Sequence, residues 1–176
     1  MAGRVYQTSL AVFATLALAA PLSSVAFDPT SDAPIRVEAD NARLDDRAGT
    51  ATYTGDVVVS QGETRLSGDR LVIERIDGEL GRMQAEGEPA RYQQAERNGE
   101  PAIDAEARTI TYSRADNTVT LEKDARIRQD NDTFSGDRIL YNTTDRTVTA
   151  SGDRDRNGRV EMVIQPRRDR DRSNGN

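Results

Sequence analysis

The stretch GTATYTGDVVVSQGETRLSGDRL (49–71) returns later in the chain as a diverged copy, NTVTLEKDARIRQDNDTFSGDRI (117–139). Both copies contain the tetrapeptide Ser-Gly-Asp-Arg, and its two serines, Ser67 and Ser135, are 135 − 67 = 68 residues apart. Weaker echoes at 82–88 and 147–153 indicate a unit of roughly thirty to forty residues. Self-similarity at such a period predicts stacked supersecondary units that bury their apolar faces only together.

Apolar and polar residues alternate on both sides of the repeat. The segments IRVE (35–38), LVIE (71–74) and VEMVI (160–164) have the period of two that is typical of strands with one inward face. Asp77-Gly78 and Asn157-Gly158 supply the turn chemistry of tight hairpins. We therefore predict an all-β fold of stacked antiparallel strands, with about ten to fourteen strands of four to six residues.

The two ends of the chain differ from the region between them. Arg4 precedes the apolar run LAVFATLALAAPL (10–22), and small residues surround Val25. This pattern predicts a cleaved signal peptide over 1–26, because about a dozen apolar residues are too few for a membrane span. The segment RRDRDRSNGN (167–176) has no apolar residue and is predicted to be a disordered charged tail. One β-domain is expected over 27–166.

Composition excludes several classes of function. The chain has no His and no Cys, and its formal net charge is −6. Without these residues the commonest general base, the thiolate nucleophile and most transition-metal sites are missing, and nucleic acid needs a basic surface. Residues 153–158 resemble half of a calcium loop, but Ile164 stands where the closing carboxylate belongs. We expect no catalytic residue, no cofactor, no metal and no nucleic-acid partner.

Carboxylates are the remaining candidates for catalysis. Asp56, Asp69, Asp124 and Asp137 could in principle form the acid pair of a glycosidase. Each follows a Gly or a Lys in a predicted turn, and each has a counterpart 68 residues away. A structural role in turns explains this placement better, and the glycosidase is a minor alternative.

Several segments in order also resemble a known family. They are PIRVEAD (34–40), TGDVVVSQG (54–62), SGDRLVIER (67–75) and GEPARY (87–92). In this order they resemble the OstA-like family of periplasmic lipopolysaccharide transport proteins, although Asp56 stands where members usually have Asn. The signal peptide and the absence of a barrel or an anchor make the chain similar to the family's soluble bridge component.

The resemblance implies an OstA-like β-jellyroll, slightly twisted and V-shaped. It implies a periplasmic protein that binds the acyl chains of lipopolysaccharide in an apolar groove and carries it from the inner to the outer membrane, without catalysis. A few arginines, such as Arg75 or Arg91, would contact phosphates. The implied partners are inner-membrane and outer-membrane components with similar modules and further copies of this chain, all joined end to end. The residues implied at those edges are Ile35, Val37, Val160, Met162 and Ile164.

The inward strand positions provide the candidate groove. Single aliphatic and aromatic residues alternate there with Thr, Ala and Gly, which suits either a packed interior, slightly favoured by the residues alone, or an open groove for an apolar ligand. If the interior is packed, the chain is instead a structural or adhesive secreted β-repeat protein. The candidate groove residues are Ile35, Val37, Leu44, Tyr53, Val57, Val59, Leu71, Ile73, Tyr92, Ile110, Tyr112, Val119, Leu121, Ile127, Phe134, Ile139, Tyr141 and Val148.

Overall fold

The computed structural model describes residues 33–96, 101–129, 132–142, 144–145, 147–152 and 158–164. They form ten β-strands in one antiparallel sheet. The strands are β1 (Arg36–Glu38), β2 (Asn41–Asp45), β3 (Thr50–Gln61), β4 (Thr64–Ile76), β5 (Glu79–Gln94), β6 (Ile103–Ser113), β7 (Thr118–Gln129), β8 (Asp132–Asn142), β9 (Thr147–Ser151) and β10 (Glu161–Val163). The predicted all-β fold is confirmed, and the predicted signal peptide and tail lie outside the described residues.

The sheet consists mainly of hairpins between neighbours in sequence. Strands β3 to β8 pair in order, each with the next. Strands β1 and β2 both pair with β3, at opposite ends of it, and β10 and β9 pair in the same way with β8. Each outermost strand of the sheet is therefore broken into two short pieces, and its outer edge has no partner among the described residues.

The long strands all lose their pairing register at one level. The shifts at this level lie between Thr54 and Val57 in β3, Ser67 and Arg70 in β4, Glu86 and Ala90 in β5, Glu106 and Thr109 in β6, and Glu122 and Ala125 in β7. We call this line the bulge row. A bulge bends a strand and increases its local twist, so a continuous row of bulges bends the whole sheet.

The bulge row corrects the predicted strand lengths. We predicted strands of four to six residues with turns at the Gly-Asp and Lys-Asp pairs, whereas β3 to β8 are 11 to 16 residues long. The pairs lie inside strands, and Gly55, Asp56, Lys123 and Asp124 all have positive φ. Turns and bulges both require this backbone conformation, so the residue types did not distinguish between them.

The bulge row divides the sheet into two halves that face each other. Half A comprises residues 36–38, 57–68, 90–96, 101–107, 125–129, 132–136 and 161–163, and half B comprises 41–54, 70–86, 109–122, 138–142 and 147–151. Buried residues of both halves, such as Val59 of half A and Leu71 of half B, belong to a single apolar cluster. The molecule is thus a V-shaped β-jellyroll with the bulge row at its apex.

Side-chain size increases from the apex outward. Next to the bulge row, half A places Val57 opposite Gly68, Ala90 opposite Ala107, and Ala125 opposite Gly136. Apart from the two glycines, these residues are at most 2% exposed: Val57, Ala90, Ala107 and Ala125. The two halves converge at the apex, and only small side chains fit where two backbones approach closely.

Three inward rows line the V beyond the apex, as the cross-strand partners show. The half A row is Val37, Val59, Leu66, Tyr92, Ala105, Ile127, Phe134 and Met162. The first half B row is Ala42, Tyr53, Leu71, Ala85, Ile110, Leu121, Ile139 and Ala150, and the second half B row is Leu44, Ala51, Ile73, Met83, Tyr112, Val119, Tyr141 and Val148. The inner face is therefore almost wholly apolar along these three rows.

The outer face carries the charges. Arg70 pairs with Glu86, Arg138 with Glu122, and Arg108 bridges Glu88 and Asp124 across the apex. All of these side chains are substantially exposed, so each pair contributes at most about 1 kcal/mol. No described segment forms a helix with the length and hydropathy that a membrane span requires.

The bend depends on close backbone contact at Gly68. A Cβ atom at this position would lie 2.6 Å from the carbonyl oxygen of Glu86. We expect Gly68→Ala to lower the free energy of unfolding by about 1–3 kcal/mol, since either strand β4 or strand β5 must move. Urea denaturation measures this change. Ser67→Ala on the same strand is the control and should remain within about 0.5 kcal/mol; equal midpoints for the two variants would contradict this account of the bend.

Candidate functional site

The interior of the V is closed near its first strands and open further along. From β3 to the first part of β5 the inward residues Val59, Leu66, Leu71 and Met83 are buried. From β5 to β9 a cavity of about 200 Å³ lies between the halves. Its lining comprises Tyr92, Ile103, Ala105, Ile127 and Gln129 from half A, and Ile110, Val119, Leu121, Tyr141 and Val148 from half B.

The lining gives the cavity its chemistry. One water molecule occupies about 30 Å³ in the liquid, and apolar cavities of this kind hold apolar ligands. Nine of the ten lining residues have hydrocarbon or aromatic side chains, and the only polar side-chain atoms among these nine are the hydroxyls of Tyr92 and Tyr141; Gln129 is the polar exception at the rim. The cavity can therefore accept hydrocarbon but lacks the groups for acid–base or metal chemistry.

Tyr92 is a buried residue in the lining of this cavity. Its hydroxyl donates a hydrogen bond to Oε1 of Gln94 at 2.8 Å. Burial raises the pKa of Tyr92 above the ordinary value for a phenol, because the phenolate would lose its hydration, and a hydrogen bond with Thr64 opposes this effect only in part. Tyr92 is thus a neutral side chain whose one polar atom already has partners within the protein.

The structure brings most of the candidate groove residues to the inner face. Val57, Val59, Leu71, Tyr92, Ile110, Leu121 and Ile139 are buried, and Val37, Tyr53, Ile73, Tyr112, Val119, Ile127 and Phe134 pack against them. Tyr141 is half-buried, while Ile35, Leu44 and Val148 are exposed at the open ends. Their inward placement follows from strand phase; their binding of a ligand stays a prediction.

The sequence analysis did not identify the buried alanines of the interior, nor two of its larger residues. Ala85, Ala90, Ala105, Ala107 and Ala125 are buried, as are Leu66 and Met83. Alanine is common on both faces of a sheet, so composition gives no signal for it. Strand phase could have assigned Leu66 to the inner face. Leu66 is two residues from Gly68 on the same strand, and it lies seven residues from Val59 across the hairpin.

The open ends of the V expose apolar side chains. At the β1–β2 end Leu44 is 64% exposed, and at the other end Met162 is 51% and Ile164 63% exposed. Ile35 and Val160 are also exposed, whereas Val37 is half-buried. The residues predicted for the partner edges therefore lie on the outermost described strands or directly beside them.

The candidate carboxylates and arginines lie outside the cavity. The four carboxylates, Asp56, Asp69, Asp124 and Asp137, are on or beside the bulge row and do not line the cavity. Arg91 and Arg75 are both exposed; Arg91 is paired with Glu106 at 3.2 Å, and Arg75 with Asp46 at 3.3 Å. Both arginines thus have a carboxylate partner in this structure, and their contact with phosphate stays a prediction.

Comparison with known proteins adds independent findings. The family model described as "LptA/(LptD N-terminal domain) LPS transport protein" matches residues 36–147. Lipopolysaccharide export system protein LptH of Pseudomonas aeruginosa is 34% identical over 163 residues, which are 89% of this chain and 93% of LptH. Lipopolysaccharide export system protein LptA of Escherichia coli K12 is 32% identical over 165 residues, covering 93% of this chain and 88% of LptA.

A solved structure shows the same fold. The crystal structure of LptH, described as the LptA-homologous periplasmic component of the conserved lipopolysaccharide transport device of P. aeruginosa, superposes with a TM-score of 0.68 at 37% identity. The match covers 76% of this chain and 96% of LptH. The OstA-like β-jellyroll expected from the sequence is confirmed.

The buried phenol of Tyr92 makes stability depend on pH in alkaline solution. The unfolded chain releases this proton at about pH 10, whereas the folded-state pKa is higher. Above about pH 10 the free energy of unfolding should therefore fall as pH rises, by up to about 1.4 kcal/mol per pH unit for this group. Urea denaturation of the parent and of Tyr92→Phe measures the difference. The variant should have the shallower slope, and identical slopes would show that Tyr92 ionises freely in the folded protein.

Proposed function

The chain belongs to the family of LptA/(LptD N-terminal domain) LPS transport proteins, and on this premise we propose that it binds lipopolysaccharide in the periplasm and carries it from the inner towards the outer membrane. It does so as a bridge component, without catalysing a reaction. The acyl chains lie in the V, between the half A row and the two half B rows. Sugars and phosphates remain in water. The observation that carries the proposal is the apolar cavity between the halves.

The energetics of acyl binding support this role. Each methylene group transferred from water into an apolar site contributes about 0.8 kcal/mol, so even one partly inserted chain contributes several kcal/mol. A cavity of about 200 Å³ that is open at the β9 end provides an entrance for such a chain. The half-buried residues at that end, such as Val119 and Tyr141, can move apart more easily than the closed packing around Leu71.

The open edges support end-to-end assembly. A strand at a sheet edge presents N–H and C=O groups that can pair with a strand of a neighbouring module. Here both ends of the sheet have short edge strands flanked by exposed apolar residues, Leu44 at one end and Met162 at the other. We propose that further copies of this chain, and similar modules of inner-membrane and outer-membrane components, add there to give one continuous V.

A structural or adhesive repeat protein with a dry, packed interior is the rival function. The tight packing of β3 to β5 would suit it, but the cavity between β5 and β9 does not. The relatives named above, all described as lipopolysaccharide export proteins, also disfavour it. The rival predicts no binding of amphiphiles at any inward position.

Adjacent residues on opposite faces of β7 test the groove directly. A photo-crosslinking amino acid at Ile127 points into the V, and one at Arg126 points to solvent. With purified lipopolysaccharide we expect strong crosslinking from position 127 and, because acyl chains do not reach the outer face, little from 126. Gel mobility detected with an antibody to lipopolysaccharide measures both. Equal crosslinking from the two positions, or none from either, would contradict the proposal.

The edge at β10 should control self-association. We expect Met162→Asp with Ile164→Asp to weaken concentration-dependent assembly, since two charges would have to be buried against the next module. Static light scattering over a range of protein concentrations measures the change in average mass. Arg126→Asp introduces a charge on an outward position away from both ends and should assemble like the parent. An unchanged mass distribution for the β10 variant would place the contact elsewhere.

A further inference from the structure

One inward row of the sheet differs chemically from the others. In half A, beyond the half A row, the cross-strand partners Gln61, Thr64, Gln94, Ile103, Gln129 and Asp132 follow one another from β3 to β8. Each lies two residues from a member of the half A row and so shares its inward phase. We call this row the glutamine lip, because three different strands each contribute a glutamine to it.

The glutamines lie at the boundary between the apolar interior and solvent. Gln61 is 7% exposed, and its Nε2 donates a hydrogen bond to the carbonyl oxygen of Ala33. Gln94 is half-buried and accepts a hydrogen bond from Tyr92, and Gln129 is exposed while lining the cavity. The lip thus changes gradually from an amide held by the protein to one directed at the cavity and accessible from water.

On the half B side, the described residues that line the cavity include no amide. The cavity side of half B at the mouth consists of Val119, Tyr141 and Val148, all from the second half B row. The mouth between β5 and β9 is therefore two-sided, with amides on one wall and largely hydrocarbon on the other. Gln129 is hydrated in the free protein, and covering it with a ligand costs desolvation unless that ligand offers matching hydrogen-bonding groups.

Amide side chains select a particular chemistry. A glutamine both donates and accepts hydrogen bonds and carries no charge, so it matches amide and ester carbonyls and hydroxyls better than it matches phosphates. Amides and esters join acyl chains to the sugars of a glycolipid, and hydroxyl groups lie close to these linkages. Resting on the proposed function, we infer that the glutamine lip binds the amide and ester linkages and the neighbouring hydroxyls of the bound amphiphile. The lip thereby orients the amphiphile with its chains towards half B and the apex.

Replacing Gln129, which lines the cavity, together with Gln94, which is the lip residue bonded to Tyr92, tests this orientation. We expect Gln94→Leu with Gln129→Leu to raise the dissociation constant for lipopolysaccharide about tenfold, because the hydrogen bonds of two amides are lost. Binding of a fluorescent fatty acid, which lacks the linkages and needs only the apolar interior, should change less than about twofold. Titration with the fluorescent fatty acid measures its dissociation constant. Displacement of the bound fatty acid by lipopolysaccharide then measures the dissociation constant for lipopolysaccharide.

The matched control is Gln93→Leu, which removes the same group one residue away on the outward phase of β5, where Gln93 donates to Asp104. It should bind both ligands like the parent. Unchanged affinity of the double variant for lipopolysaccharide would overturn the inference while leaving the groove intact, and so would an equal loss for both ligands. A parent protein that binds neither ligand would instead contradict the proposed function.

Discussion

The constraint on which this fold depends is that every long strand loses its register at the same level. A single sheet with one apolar face has no second layer to cover that face, so it can bury the face only by folding onto itself. The bulge row makes this possible: Gly55 at φ +83° and Gly68 against Glu86 let the backbones turn and approach where a side chain would collide. The 68-residue repeat places Lys123-Asp124 and Gly136-Asp137 at the same level two hairpins later.

The form of the interior follows from this bend. Near the apex the halves are so close that alanine and valine fill the space, and further out Tyr92, Ile127 and Tyr141 span it. The apex thus closes the V, while its mouth stays open between β5 and β9 and the outer edges of its end strands stay without a partner among the described residues. The bend at the bulge row accounts for the cavity and for the apolar rows around it. It also accounts for the exposed edges at which we propose that similar modules bind. It also sets the distance of the glutamine lip from the apex.

Strand phase was the most reliable information in the sequence. It assigned Leu121 and Ile127 to the inside and Arg126 to the outside, and the structure places all three so. The sequence did not distinguish bulges from turns, because Gly55-Asp56 satisfies the backbone demands of both. The sequence also did not identify the buried alanines, because their role depends on the distance between the two halves of the folded sheet. Nor did it identify the ion pairs that Arg75 and Arg91 form.

The central claim is that hydrocarbon chains of lipopolysaccharide lie between the two halves of the bent sheet. Methyl-labelled NMR tests it most directly, through intermolecular nuclear Overhauser effects between acyl methylene protons and side-chain methyl groups of the protein. The account predicts such effects at Ile110, Leu121 and Val148, which line the cavity. Effects at the outward-phase Val72 and Leu140, with none at the inward residues, would contradict it.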